Sequence, residues 1–287
     1  MKKDIVIVGH GFVGKAVEKV LVKSKLNIKI IDPKYHTTIE RLKDLSPLFI
    51  FICVPTPANT DGTPDYRILK NVVDESIKIF PNAIKIIKST VLPNALDFIN
   101  SRDEKIVYNP EFLTEKNAFK DLLNGEFQIF GGDLDKCKEV EKFYKHFSKC
   151  KFQRSHFVSF EVASLIKFSI NSFLALKVVF FNQIKEIFPS MDLDDVDFDR
   201  YVKGMALDKR IGNSHMNVPG HDGRLGFGGA CFPKDTEAFL SFFKENKINF
   251  SLLAETIKFN NHLRNDYNDL LEREKEQNIS FKTNEKN

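Results

Sequence analysis

The apolar run Ile5-Val6-Ile7-Val8 passes directly into Gly9-His10-Gly11-Phe12-Val13-Gly14, and an amphipathic stretch follows. Few folds accommodate that order: it asks for a strand, a turn too tight for side chains, and a helix packed back on the strand. The first glycine permits the turn, the second lets a pyrophosphate approach the backbone, and the third allows close helix packing, with phosphate charge favoured at the helix N-terminus. Asp32 ends the second apolar run at the spacing of a carboxylate that accepts hydrogen bonds from an adenosine ribose. The expectation is a dinucleotide site drawn from Gly9, Gly11, Phe12, Val13, Gly14 and Asp32, with Lys34 and Thr56 at its border. NAD is favoured over NADP because a 2′-phosphate would meet like charge at Asp32, although Lys34 tempers that preference.

The alternation continues to about Gln153. Short β-rich runs (Ile5 to Val8, Ile28 to Ile31, Leu48 to Val54, Ile84 to Ile87, Ile106 to Tyr108, Phe127 to Phe130) are separated by amphipathic helical stretches, the pattern of a doubly wound parallel sheet. Loops at the ends of these strands, where open α/β sheets bind ligands, are Val54-Pro55-Thr56-Pro57, Lys88-Ser89-Thr90-Val91 and Asn109-Pro110-Glu111-Phe112-Leu113-Thr114-Glu115. Taken alone, Ser89-Thr90 could equally cap a helix, and Glu111 with Glu115 could be a solvated face. From Phe157 to Phe188 the period becomes helical without Gly or Pro. The organisation expected is α/β: a first domain over 1–154, a long connecting helix opening a helical domain over 155–271, and a polar tail over 272–287 that frays.

Composition removes several function classes. A net charge of +4 over 287 residues, with both signs scattered, leaves no footprint for nucleic acid. The run before Gly9 is too short for a signal-peptide core, and Leu165 to Phe181 carries Lys167, Asn171 and Lys177, which fits a packed helix and not a membrane span. The four cysteines show no paired spacing, so the expectation is reduced thiols, a cytoplasmic setting and no metal.

One cysteine stands apart. Gly226-Phe227-Gly228-Gly229-Ala230-Cys231-Phe232-Pro233-Lys234-Asp235 frames a thiol with glycines that let a substrate approach, and Lys234 and the start of a following helix both favour a thiolate. Lys167 and Asn171, at i and i+4, share one face of the long helix and can donate together to a developing oxyanion. Asp235 can order a water or assist proton removal with Lys167. The bland alternatives are a core cysteine and a helix with one snorkelling lysine.

The GxGxxG turn, Val-Pro-Thr-Pro, Lys-Ser-Thr-Val, Asn-Pro-Glu-Phe-Leu-x-Glu, the pair Lys167 and Asn171, Arg210-Ile211-Gly212 and Gly-Phe-Gly-Gly-x-Cys-Phe-Pro-Lys-Asp occur in one order from residue 5 to about 260. In this the chain resembles the UDP-glucose/GDP-mannose dehydrogenase family. The resemblance implies a Rossmann-type domain and oxidation of a nucleotide-sugar alcohol, UDP-glucose foremost, to the acid, with two NAD reduced per sugar and Cys231 carrying a thiohemiacetal and then a thioester. It assigns Glu111 as the base for thioester hydrolysis and Thr90 to the attacking water. Glu115 and Lys234 fall beside the nicotinamide, and Phe112, Leu113, Phe227 and Gly228 against the substrate. Arg210 is expected to reach the sugar nucleotide across a homodimer formed through the long helix. It also implies a third, nucleotide-gripping domain, for which the residues after Leu271 are too few. Three readings stay open: an active dehydrogenase, an NAD-binding and dimerising module with little turnover, or an enzyme of a smaller sugar. A simple hydroxy-acid dehydrogenase, more remote, would not need the cysteine loop.

Overall fold

The computed structural model describes residues 2–95, 99, 105–267 and 269–281. The chain forms two compact units, Met1–Thr56 with Asp65–Lys167, and Pro57–Pro64 with Phe168–Asn287.

In the first unit a seven-stranded sheet is built from β1 (Lys3–Val8), β2 (Leu26–Ile31), β3 (Phe49–Ile52), β4 (Ile84–Ile87), β5 (Ile106–Tyr108), β6 (Phe127–Gly132) and β7 (Arg154–Val158), in the order β2-β1-β3-β4-β5-β6-β7. All neighbouring pairs are parallel except β5 with β6. Ile5 to Val8 and every residue of β3 and β4 are buried, as expected of strands covered on both faces. Helices α1 (Phe12–Val20), α3 (Ala118–Asn124) and α4 (Leu134–Phe147) pack with Ile5, Ile7 and Phe51 on one side; α2 (Arg67–Ile79) packs with Val6, Val8 and Ile50 on the other.

The register matters for function. Ile31, Val8, Ile52, Ile87 and Tyr108 pair in a single row across five strands. One residue further, Gly9 N–H donates to Ile31 O, Cys53 N–H to Val8 O, Lys88 N–H to Ile52 O and Asn109 N–H to Ile87 O, at 2.7–2.9 Å. The motif loops therefore leave the sheet side by side along one carboxyl edge. Reversal of strand order between β1 and β3 opens a crevice there.

Helix α5 (Phe160–Lys185) starts in the first unit and continues into the second. The second unit adds α6 (Asp195–Met205), α7 (Phe232–Glu245), α8 (Ser251–Asn265) and the short α9 (Glu272–Glu276). Its cores gather Phe181, Phe188, Phe198 and Met216, and Ala175, Val179 and Phe227. By length and composition α5 and the turn after it could cross a membrane. Two of its buried polar side chains are bonded within the protein: Lys177 Nζ donates to Ile211 O at 3.0 Å, and Asn182 Nδ2 to Val178 O one turn back at 2.8 Å.

Two local expectations change. The sheet has a seventh strand, β7, where the helical period was read to begin, so the helix starts at Phe160 and not Phe157. Phe157 pairs with Phe130 in register and stacks on its ring at 5.7 Å, while Ser159 Oγ caps the helix by accepting from Val162 N–H. The tail, expected to fray, is folded over its described part: Glu274, Ile279 and Phe281 are buried. Residues 282–287 of that tail lie outside the described residues.

Candidate functional site

The first unit carries the glycine turn. Gly9 has φ +88°, and a Cβ there would lie 2.5 Å from Cys53 O; a Cβ on Gly14 would lie 2.0 Å from Gly9 O. Backbone contacts so close admit only glycine. A Cβ on Gly11 would meet nothing within 4 Å, so that residue keeps open space in front of the first turn of α1. Gly11 is the N-cap and offers no side-chain hydrogen bond, and the positive end of the α1 dipole that opens there favours an anion.

Asp32 follows β2. Its Oδ2 accepts from His10 N–H at 2.6 Å and its Oδ1 from Lys34 N–H at 3.1 Å, which fixes the carboxylate beside the turn with lone pairs to spare. Lys34 Nζ donates to His10 O at 2.6 Å and stands 3.7 Å from Asp32 Oδ2. The imidazole of His10, which sequence reasoning passed over, bonds to Tyr35 and Glu18.

Further along the same edge, Thr56 Oγ1 donates to Thr90 O at 3.2 Å and Ser89 Oγ to Val54 O at 2.7 Å, tying the loops after β3 and β4 together. Lys88, 2% exposed, donates to both Asn109 O and Asn109 Oδ1 at 2.8 Å. Asn109 Nδ2 donates to Gln128 Oε1 and Ile129 O, and Tyr144 OH donates to Asn109 Oδ1. This network clamps the point where the sheet changes from parallel to antiparallel. Burial pulls the Lys88 ammonium down to about 8, and pushes the thiols of Cys53 and Cys137 up to about 12 and that of Cys150 upward.

Glu111 and Lys167 meet inside the first unit. Lys167 Nζ donates to Glu111 O at 2.7 Å and to Glu111 Oε1 at 3.2 Å, with Glu111 Oε2 accepting from Leu113 N–H at 2.6 Å. Their side chains are 5% and 3% exposed, so each charge depends on the other. The Phe112 ring lies 5.4 Å from Lys167 Nζ. Glu115 is exposed on the turn that follows.

In the second unit Asn171 Nδ2 donates to Asp235 Oδ2 at 2.6 Å, and Lys234 Nζ to Asp235 Oδ1 at 2.5 Å. All three side chains are buried. Lys234 is thus engaged by Asp235, whereas the sequence placed its charge at the thiol. The helical pair is also divided between two carboxylates, Lys167 with Glu111 and Asn171 with Asp235.

Cys231 is half-buried at the N-cap of α7, where Pro233 opens the helix and Asp235 N–H donates to Cys231 O at 2.8 Å. The preceding turn needs glycine twice, at Gly226 (φ +69°) and Gly229 (φ +80°). Two asparagines absent from the sequence reading hold it. Asn182 Oδ1 accepts from Gly226 N–H at 3.0 Å, and Asn260 bonds Phe227 at both N–H and O, at 2.6 and 3.1 Å. A Cβ on Gly226 would come within 2.5 Å of Asn260 Oδ1. Arg210 is exposed and forked onto Asp208.

A dinucleotide turn on a doubly wound sheet, followed by a helical unit that presents a thiol from a glycine turn, defines an NAD-binding dehydrogenase architecture. The chain belongs to the UDP-glucose/GDP-mannose dehydrogenase family: residues 46–148 match its NAD binding domain and residues 161–262 its central domain. NAD is accordingly the cofactor, and the glycine turn and Asp32, which precede the matched span, fit it on their own geometry. A UDP-glucose 6-dehydrogenase of Rickettsia bellii is 33% identical over 264 residues, covering 83% of this chain and 58% of the relative. One from Bacillus subtilis is 27% identical over 305 residues, covering 90% and 66%. The chain thus spans about three-fifths of the length of these curated relatives. Among solved structures, a UDP-glucose dehydrogenase from Pyrobaculum islandicum shares the fold at TM-score 0.74 and 22% identity, over 91% of this chain and 68% of that one. A Mycobacterium tuberculosis 3-hydroxyisobutyrate dehydrogenase shares it at TM-score 0.67 and 15% identity, over 94% and 96%.

Proposed function

We propose that this chain oxidises the primary alcohol of a nucleotide sugar, UDP-glucose foremost, to a carboxylate through a thioester on Cys231. The observation that carries the reading is the Cys231 turn, built from glycines in the left-handed region, held by two asparagines and ending on a helix N-terminus. A buried structural thiol has no use for that apparatus. The relatives named UDP-glucose 6-dehydrogenase support the substrate class.

NAD, when bound, accepts the hydride in each of two oxidations. The alcohol loses a hydride and a proton to give an aldehyde, and the Asp235 carboxylate takes the proton with Lys167 assisting as a donor to the alcohol oxygen. The Cys231 thiolate adds to the aldehyde carbon, and Lys167 and Asn171 donate to the resulting oxyanion. Loss of the second hydride leaves a thioester. Glu111 then removes a proton from water held by Thr90, water attacks the thioester, and the thiol departs as the acid forms. Glu115 and Lys234 flank the nicotinamide end, Thr56 and Lys34 border the rest of the dinucleotide, and Phe112, Leu113, Phe227 and Gly228 contact substrate.

A homodimer is part of the proposal. Val162, Leu165, Phe173 and Phe180 are exposed along α5, with Phe173 at 65%, an apolar stripe that a second copy would cover; Arg210 would then reach the partner's substrate.

A second reading is an NAD-binding and dimerising module with little turnover, in which the buried pairs Lys167 with Glu111 and Asn171 with Asp235 serve only to hold the fold. Mixing the protein with NAD and a panel of UDP- and GDP-sugars separates the two. NADH formation whose yield per sugar falls in Cys231→Ser supports the enzyme, and NAD-dependent stabilisation without NADH for any sugar rejects it.

A further inference from the structure

Tyr267 and the stretch from Asp269 to Phe281 return along the cysteine loop and grip it at three points. Leu225 N–H donates to Tyr267 OH at 2.8 Å, and Arg224 donates to Asp269 O and Oδ1 at 2.7 and 3.0 Å. Gly229 N–H donates to Glu274 Oε1 at 2.9 Å. The far end is tied down separately, Ala58 N–H donating to Gln277 O and Asn278 Nδ2 to Ala58 O.

Glu274 is the unusual member. It is fully buried, and its second oxygen accepts from Leu271 N–H at 2.8 Å, closing the first turn of α9. A five-residue helix reading Glu-Arg-Glu-Lys-Glu has too few turns to stand alone. Burying a carboxylate there is costly unless it is fully hydrogen-bonded. The cysteine loop supplies the missing donor. The fit leaves no slack: a Cβ on Gly228 would come within 2.5 Å of Glu274 Oε1 and 2.4 Å of Arg264 Nη2. Gly229, two residues before Cys231, sits at φ +80°, so the amide that Glu274 holds fixes the turn immediately ahead of the thiol.

We propose that Glu274 is a positioning residue for Cys231: by holding Gly229 N–H it locks the glycine turn, and residues 269–281, with Tyr267, act as a strap that sets how the thiol is presented. Its functional meaning rests on Cys231 being the nucleophile. The geometric claim does not.

Reach and charge can be varied independently. Glu274→Asp keeps the charge and withdraws it from Gly229, whereas Glu274→Gln keeps one oxygen at full reach for Gly229 N–H and gives up the charge together with the bond from Leu271 N–H. The readout, on the full chain without NAD or sugar, is the alkylation rate of Cys231 by iodoacetamide from pH 6 to 10, followed on its peptide by mass spectrometry, with amide exchange at Gly229 in parallel. The strap predicts that Glu274→Asp raises the limiting alkylation rate about fivefold and exposes the Gly229 amide, while Glu274→Gln stays within about twofold of wild type, as loss of a single hydrogen bond implies. Asp like wild type with Gln altered would assign the effect to charge and overturn the proposal. So would both variants alkylating like wild type, or both tracking only a fall in melting temperature. Because no turnover is measured, an inactive protein would refute the proposed reaction and leave this test standing.

Discussion

Removing the ammonium of Lys167 should be far more damaging than removing both it and the charge it faces. Glu111 is 5% exposed at its side chain and faces Lys167 Nζ at 3.2 Å, with the same nitrogen on Glu111 O at 2.7 Å. In Lys167→Met the carboxylate stays buried and loses its counter-charge, a change that typically costs about 3–5 kcal/mol. The double variant Lys167→Met with Glu111→Gln removes the stranded charge and keeps an acceptor for Leu113 N–H, so it should regain about 2 kcal/mol or more over Lys167→Met, a coupling in the range measured for residues in contact. At about 2–4 °C per kcal/mol for a body of this size, the single variant should melt about 6–20 °C lower. The chain has no tryptophan, so far-ultraviolet circular dichroism against urea and temperature is the suitable probe. If the double variant is no more stable than Lys167→Met, within about 0.5 kcal/mol, the ion pair is not the buried, mutually dependent unit described.

Other outcomes follow from the same geometry. Lys88 binds its proton more weakly folded, at about 8, than unfolded at 10.5. The unfolded chain therefore holds more protons between those values, and stability should rise with pH across that window by about 3 kcal/mol. Urea unfolding from pH 7 to 10.5 should show that rise reduced in Lys88→Met. Gly14→Ala puts a methyl 2.0 Å from Gly9 O, and Gly11→Ala puts one in open space. Melting should show the first strongly destabilised and the second unchanged, while calorimetry finds NAD binding weakened in Gly11→Ala. Burial raises the thiols of Cys53, Cys137 and Cys150, so peptide mapping after brief iodoacetamide treatment at pH 8 should find the label on Cys231.

The first unit was largely legible because its signals are local. Apolar runs marked six of the strands, and the glycines at 9 and 14 stand where backbone contacts admit nothing larger. Strand β7 escaped because Arg154, Ser155 and His156 give it little apolar content at the sheet edge, and because Phe157 and Val158 fit the helical period of the residues beyond. At the site, sequence named the residues that carry chemistry but not those that hold them. Asn109, Asn182 and Asn260 act through bonds between residues 19 to 44 positions apart, which no local spacing encodes. Glu274 looked like solvated tail for the same reason, since its partner Gly229 lies 45 residues earlier. Lys234 was read for its place beside the thiol, and its bond to the adjacent Asp235 was not foreseen.

The central claim is that the Cys231 thiol carries the substrate between two oxidations. The direct measurement is NADH formed per sugar consumed, with UDP-glucose as substrate, for the wild-type chain and for Cys231→Ser, whose hydroxyl is a far weaker nucleophile near neutral pH. The account predicts two NADH per sugar for the wild type and loss of that full yield in the variant. Two NADH per sugar at an undiminished rate from Cys231→Ser would contradict it.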